Sequence, residues 1–416
     1  MMPGSPTVAA GAALRSGRGL DGVNFFVAAV QTGFGSFVTV HLVKNGWPSG
    51  AIGFALTIGT MSTLLSQIPA GAALDSIRDK RRAVVLGIVG VGLAALLLSA
   101  TAARVAVWLA LAIQGLASSL IGPGIAAISL ALVGQAALSE RIGRNARFAS
   151  IGNGLTAAAM GIAGSYLPAG SVFLMAALLT LPALLSLSLI GGGRVATPPE
   201  PAAPIDERPP DDTRMSWQSI GSLLQDRRVG IFAVCVVLFF AASAAMAPGV
   251  AGQVTRRWPE YASLIVAATI LVPQAIVAAI SPAIGRRAER SGRRPLLLIG
   301  WGLIPLQGLL FAILPGPFAL AFGSLLNAVS GAIFGVMMTV VVADLTRRTG
   351  GFNLTLGALG VALSVGASLS TLFAGVSAAV FGARVAALGL AIVGGCGLVL
   401  LWAGMPETKT SEARSG

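Results

Sequence analysis

Three ionisable side chains stand just inside the ends of long apolar runs: Asp21 and His41 in the first run, and Asp344 at the close of "FGVMMTVVVADL". A carboxyl or imidazole placed there can take up and release a proton, the chemistry that couples an ion gradient to movement through a bilayer. The chain has fifteen acidic residues, and none falls at the middle of an apolar run, so the candidates for this role are the run-end groups Asp21, Asp344 and His41. His41 is the only histidine, and the two cysteines, Cys235 and Cys396, both lie in apolar runs. No metal-ligating set and no disulfide framework follows from that inventory. The sequence has no serine-histidine-acid set and no glycine-rich phosphate loop, which leaves hydrolytic or nucleotide-driven catalysis without its groups, and no cofactor is expected.

Neutral polar residues form a second set. Asn24, Gln31 and Thr32 interrupt the first apolar run; Gln114, Ser118 and Ser119 interrupt the fourth; Asn153 and Thr156 the fifth. The second half of the chain contributes Ser243, Met246, Gln274, Asn327, Ser330 and Met338. Such side chains either hydrogen-bond one helix to another or meet a solute. Gln31 and Asn327 are the foremost ligand candidates. Amides, hydroxyls, methionine and phenylalanine together suit a neutral or amphipathic organic molecule, since no mid-run Arg or Lys is available to clamp a phosphate or a dicarboxylate.

The elements that must position these residues are membrane helices. Mean hydropathy is +0.85, and 55% of residues are hydrophobic, more apolar surface than a soluble domain can hide. Twelve runs are long enough to cross a bilayer, at about 20–43, 49–73, 82–102, 104–133, 147–168, 170–191, 229–252, 261–284, 295–314, 317–343, 352–377 and 380–403. The fold class is therefore all-α, with twelve transmembrane helices. Arg15 and Arg18 before the first run resemble the charged start of a signal peptide, but the run is too long and no small-residue cleavage site follows. With an even number of spans both termini share one side, and 23 of the 28 basic residues fall on that side. Such a bias marks it as cytoplasmic. The net charge of +13 is thus a topology signal; a nucleic-acid partner would require a basic soluble face with interleaved aromatics, which is absent.

The chain divides into residues 1–191, a Pro-, Gly- and charge-rich cytoplasmic linker at 192–228, and residues 229–416. Within the linker, Trp217, Ile220, Leu223 and Leu224 form one helical stripe, which predicts a short amphipathic helix on the membrane surface. Each half has six spans, and the halves repeat. "GAALDSIRDKRR" (71–82) follows span 2 as "GRRAERSGRRP" (285–295) follows span 8. Gly71 matches Gly285 and Asp75 matches Glu289 at one shared offset, close to half the length of the chain.

These loops resemble the signature Gly-x-x-x-(Asp/Glu)-x-x-Gly-Arg-(Lys/Arg) of the major facilitator superfamily. The second copy fits through Gly285, Glu289, Gly292, Arg293 and Arg294. The first retains Gly71, Asp75, Lys80 and Arg81, but has Arg78 where the family has Gly and Asp79 where it has Arg. The resemblance implies two pseudo-symmetric six-helix halves and a central cavity lined by spans 1, 4, 7 and 10, with 2, 5, 8 and 11 at its flanks. It also implies gate loops whose acid meets the positive end of a helix from the other half, and basic residues that meet lipid phosphates. Leu111 stands where the family's span 4 has an arginine linked to proton coupling, and the Gly-rich span 5 (152–170) lacks the antiporter signature's Gly-Pro pair. "VVVADLTRRTGGFN" (340–353) resembles the end of span 10 in bacterial members. The expected function is secondary transport of a small organic solute, with protons as candidate coupling ion, by an exporter in a bacterial cytoplasmic membrane, acting as a monomer. The alternatives are import or facilitated entry of a nutrient or metal chelate on the same fold, and a receptor that binds without transporting.

Overall fold

The structure, a computed structural model of the chain, describes residues 6–34, 36–168, 170–191, 227–246, 262–314, 316–347 and 351–408. The amphipathic stripe expected at Trp217–Leu224 lies outside the described residues. Among the described residues every regular element is an α-helix: α1 (Pro6–Thr32), α2 (Ser36–Lys44), α3 (Ser49–Ser76), α4 (Lys80–Ala100), α5 (Arg104–Val133), α6 (Leu138–Tyr166) and α7 (Ser171–Ser188). The second half supplies α8 (Arg227–Ser243), α9 (Ala262–Ser291), α10 (Arg294–Ile313), α11 (Pro317–Leu345), α12 (Phe352–Phe381) and α13 (Ala383–Gly404). Helices are what a bilayer allows, because each backbone donor must find its acceptor within the segment.

The first expected span is two helices. At the close of α1 the N–H groups of Gly33 and Phe34 turn back to the carbonyls of Val30 and Gln31, each three positions earlier, which tightens and ends the helix. Counting α1 and α2 as one span gives twelve, the twelve-helix architecture expected from the sequence. Among the described residues, eight spans are long and apolar enough by themselves to cross a membrane. The others are α3, α6, α8 and α9. The first three turns of α6 carry Glu140, Arg141, Arg144 and Arg147, and the interior of α3 carries Thr60, Ser62, Thr63, Ser66 and Gln67.

Hydroxyls inside the helices are largely satisfied locally. Ser129 donates to the Ile125 carbonyl at 2.8 Å, Ser243 to Phe239 at 2.8 Å and Ser281 to Val277 at 2.7 Å. Prolines at 69, 123, 182, 273, 282 and 305 sit within helices, as bilayer helices tolerate. The basic stretch at 285–295 is mostly helix. α9 runs on to Ser291, so Arg286, Arg287 and Arg290 ride on its last turns and only Gly292 and Arg293 form the turn into α10. Arginine is a good helix former, so the helix need not stop where its apolar run does.

By packing, the chain forms two compact units. One comprises Met1–Leu138, Phe148–Ser219 and Gly351–Gly357; the other comprises Ser139–Arg147, Ile220–Gly350 and Ala358–Gly416. These differ from a division at the linker by the exchange of two short segments, the opening turns of α6 and α12. The first unit centres on α1, α4, α5 and α7, which bury Leu20, Val23, Val84, Val91, Ile128 and Leu187 together.

The second unit is built round aromatic rings. Phe239 of α8 stacks on Phe334 of α11 at 3.9 Å between ring centroids and 13° between planes, and Trp301 of α10 meets both edge-on. Trp301 is buried, and its indole N–H donates to the Gly394 carbonyl of α13 at 3.0 Å, so four helices share one anchor. Phe334→Ala should therefore destabilise the protein by about 3–5 kcal/mol, the usual cost of emptying a buried phenylalanine site. Thermal unfolding in detergent checks this, and an unchanged midpoint would show that the stack carries little stability.

Candidate functional site

The acid of each signature loop ends a helix and reaches the start of another. In the first unit, Asp75, on the last turn of α3, sits at the N-terminus of α12. Its Oδ1 accepts from the Asn353 backbone N–H at 3.1 Å and from the Asn353 side-chain amide at 2.8 Å; its Oδ2 accepts from the Leu354 N–H at 2.8 Å. In the second unit, Glu289 of α9 sits at the N-terminus of α6, and its Oε1 accepts from the Glu140 N–H at 3.1 Å. The first N–H groups of a helix have no partner within it, and the helix dipole is positive there, so a carboxylate satisfies both at once.

The contact repeats with the sequence. The offset that separates Asp75 from Glu289 also separates Glu140 from Leu354, whose N–H groups they receive. Glycine makes the approach possible. A Cβ on Gly71 would collide with the Asn353 carbonyl, and one on Gly285 with the Ser139 carbonyl, a second pair of contacts related by the same offset. The helices return the contact one turn further on, where Gly357 meets the Gln67 carbonyl and Gly143 meets that of Ser281. Backbone lies against backbone in both copies, so no side chain can be inserted without moving a helix.

The basic residues of the two loops differ in register. In the second loop, Arg293 Nη1 donates to the Ala288 carbonyl at 2.9 Å, and Arg294 Nη2 to the Trp402 carbonyl at 2.6 Å, at the C-terminal end of α13. In the first, Lys80 Nζ donates to the Leu74 carbonyl and, at 2.6 Å, to that of Ile77, while Arg81 Nη2 donates to Leu187, at the C-terminal end of α7, at 3.2 Å. Lys80 and Arg81 thus make the backbone contacts of Arg293 and Arg294, although their separation from them falls one position short of the offset that relates the acids and the glycines. The first loop contains one extra residue. This accounts for Arg78 and Asp79 at the positions where the signature has Gly and Arg.

Asp344 forms a buried ion pair. Its Oδ2 lies 3.0 Å from Arg293 Nε, with the two side chains 9% and 6% exposed, and it also accepts from Thr408 Oγ1 at 3.2 Å. Glu407 accepts from the backbone N–H of Arg293 at 2.8 Å and of Arg294 at 3.1 Å. Neither Glu407 nor Thr408 is marked by the sequence motif; an acid directly after the last apolar run was the only available signal. Asp21 is buried on α1, one turn before Asn24. His41 is buried on α2, edge-on to Phe173 with ring centroids 5.0 Å apart.

The neutral polar candidates divide. Asn24 donates to the Leu20 carbonyl of its own helix at 2.7 Å, and Gln114 to Ser118 Oγ at 3.0 Å. Thr32 donates to Ala28 O and joins α1 to α6 through Asn153 Oδ1, each at 2.9 Å. Ser330 ties α11 to the Gly300 carbonyl of α10 at 2.7 Å. Gln31 edges a small, partly open apolar crevice with Val27, Val30, Ile88, Val91 and Ile121. Gln274 and Asn327 are half-buried on α9 and α11.

Comparison with known proteins identifies the family and the fold. The sequence model of the Major Facilitator Superfamily matches residues 20–280. Two MFS-type transporters of Mycobacterium tuberculosis, uncharacterized and each from a different strain, are 32% identical over 405 residues, covering 96% of this chain and 95% of theirs. Among solved structures, the human organic anion transporter MFSD10 (TETRAN) superposes with a TM-score of 0.70 at 17% identity, and the E. coli fucose:proton symporter FucP with 0.71 at 15%; each comparison covers 94% of this chain and 98% of the other. With its repeated loops, its twelve spans and relatives along its whole length, the chain belongs to the Major Facilitator Superfamily and is a multi-pass secondary transporter, not an enzyme.

Proposed function

We propose that the protein exports a small neutral or amphipathic organic solute by alternating access across a bacterial cytoplasmic membrane, as a monomer with both termini in the cytoplasm. The observation that carries the alternating-access reading is the repeated carboxylate-to-helix contact, Asp75 on α12 and Glu289 on α6. The contacts are hydrogen bonds from helix-start N–H groups, two backbone ones to Asp75 and one to Glu289, and can be broken and rebuilt without covalent change, as a gate requires. Arg293 and Arg294, Lys80 and Arg81 hold the loops in place, and the glycines at 71 and 285 set the distance.

The substrate class rests on the neutrality of the mid-span residues. Asn24, Gln31, Thr32, Gln114, Ser118 and Asn153 of the first unit, and Gln274 and Asn327 of the second, offer amides and hydroxyls without charge. The fold neighbours lend no substrate at 15–17% identity. The Gly-rich run in α6 favours export. The lack of its Gly-Pro pair, together with Leu111 in place of a family arginine, favours a second reading: facilitated entry of a nutrient or metal chelate. Counterflow in right-side-out and inside-out vesicles decides between them, and a ligand that binds without ever exchanging would defeat both.

Asp21 is the proposed proton carrier. Asp344, the other candidate, engages Arg293 and Thr408 and holds the second loop. Asp21→Asn should abolish accumulation driven by a pH gradient while sparing downhill exchange. Accumulation that survives in the Asp21→Asn, Asp344→Asn double variant would remove both carboxylates and leave facilitated diffusion, another ion or His41.

Two further outcomes are expected. Asp75→Ala or Glu289→Ala should lower transport about two- to fivefold, the effect of losing a helix-end charge contact of about 0.3–1 kcal/mol, with normal delivery to the membrane; wild-type rates in both would reduce the loops to anchors. Tags on both termini, and cysteines placed in the 192–228 linker, should react only from the cytoplasmic side, as the 23-to-5 basic bias implies. Labelling of the linker from outside intact cells would overturn that topology.

A further inference from the structure

The two loops solve one capping problem in two ways. α4 is capped from within its own loop: Asp79 precedes the helix and accepts from the Arg81 N–H at 3.1 Å. α10 has no such residue. The positions that match by contact are Asp79 and Gly292, since Lys80 matches Arg293. Gly292 has φ +89°, a left-handed turn, and a Cβ there would meet the carboxylate of Glu407. Glu407, beyond the last span, accepts from the N–H groups of both Arg293 and Arg294. The carboxylate that the first loop carries in cis therefore arrives in the second from the C-terminal tail, in the space that glycine leaves open. Thr408 adds a second tail contact, donating to Asp344 where that residue pairs with Arg293.

We propose that Glu407 is a positioning residue of the second gate loop: it replaces the missing loop acid, seats Arg293 against Asp344, and makes the switching of that loop depend on the C-terminal tail. The first loop, capped by Asp79, has no such dependence. The transport consequence rests on the gate function proposed above; the structural one does not.

The arrangement allows a compensation experiment in the full-length protein. Glu407→Ala should speed amide hydrogen exchange in the α10 first turn (peptides spanning 290–297) by roughly fivefold, the factor that a typical helix cap is worth, and leave peptides spanning 77–84 unchanged. Gly292→Asp alone should be harmful, because its side chain and Glu407 compete for one place. The double variant Gly292→Asp, Glu407→Ala should regain protection and transport relative to either single change, since aspartate tolerates the left-handed turn better than most residues and restores the cap in cis. Truncation after Pro406, which also removes Thr408, should loosen 290–297 at least as much as Glu407→Ala, and Asp79→Ala should loosen 77–84 only. Exchange at 290–297 that is unchanged in Glu407→Ala, or a double variant no better than its worse parent, would overturn the proposal. Restored protection without any change in transport would leave the cap standing and refute its part in gating.

Discussion

A carboxylate accepting the free N–H groups at the start of another helix is the interaction on which the rest of this structure depends. It is made twice, by Asp75 and by Glu289, and both times it requires that two helices come close enough for backbone to touch backbone. That requirement fixes glycine at 71 and 285 and at 143 and 357. It also requires the loop beside each acid to stay rigid, which is the task of the basic residues. Their donors go to carbonyls of nearby helix ends and, for Arg293, to a buried carboxylate. Breaking one partner of such a buried pair costs more than the pair contributes, because the remaining charge is stranded. Arg293 and Asp344 are therefore a constraint on shape before they are a source of stability.

This changes the meaning of the arginines in the second loop. Charge bias explains why they lie on one side of the membrane, but the same side would be marked by five arginines in any order. Arg286, Arg287 and Arg290 fit that account, as they sit exposed on the last turns of α9. Arg293 is 5% exposed and Arg294 donates to a helix end, so for these two the position in the sequence is set by geometry.

Much of this is legible in the sequence. Hydropathy counts the spans, because a bilayer needs long apolar runs. The shared offset between the two loops predicts the repeat, and their resemblance to the family signature implies that the loop acids meet helix starts. Other features cannot be read. Whether Asn24 or Thr32 serves a solute or a neighbouring helix is a question of a few ångströms, and a polar residue in an apolar run looks alike in both cases. Glu407 and Thr408 lie far along the chain from Arg293, with no periodic pattern to connect them. The extra residue of the first loop is visible only as a poor match, since side-chain reach, not letter order, defines equivalence.

The exchange of segments has a further consequence. Residues 139–147 pack with one unit and the rest of α6 with the other, and residues 351–357 do the same for α12. Each unit therefore ends up with about two helical turns encoded in the opposite half of the chain. Cutting the polypeptide at the linker would separate two sequences but would not yield two finished bodies. Each would lack the opening turns that the other carries, so the half made first during synthesis is structurally incomplete until the second has entered the membrane.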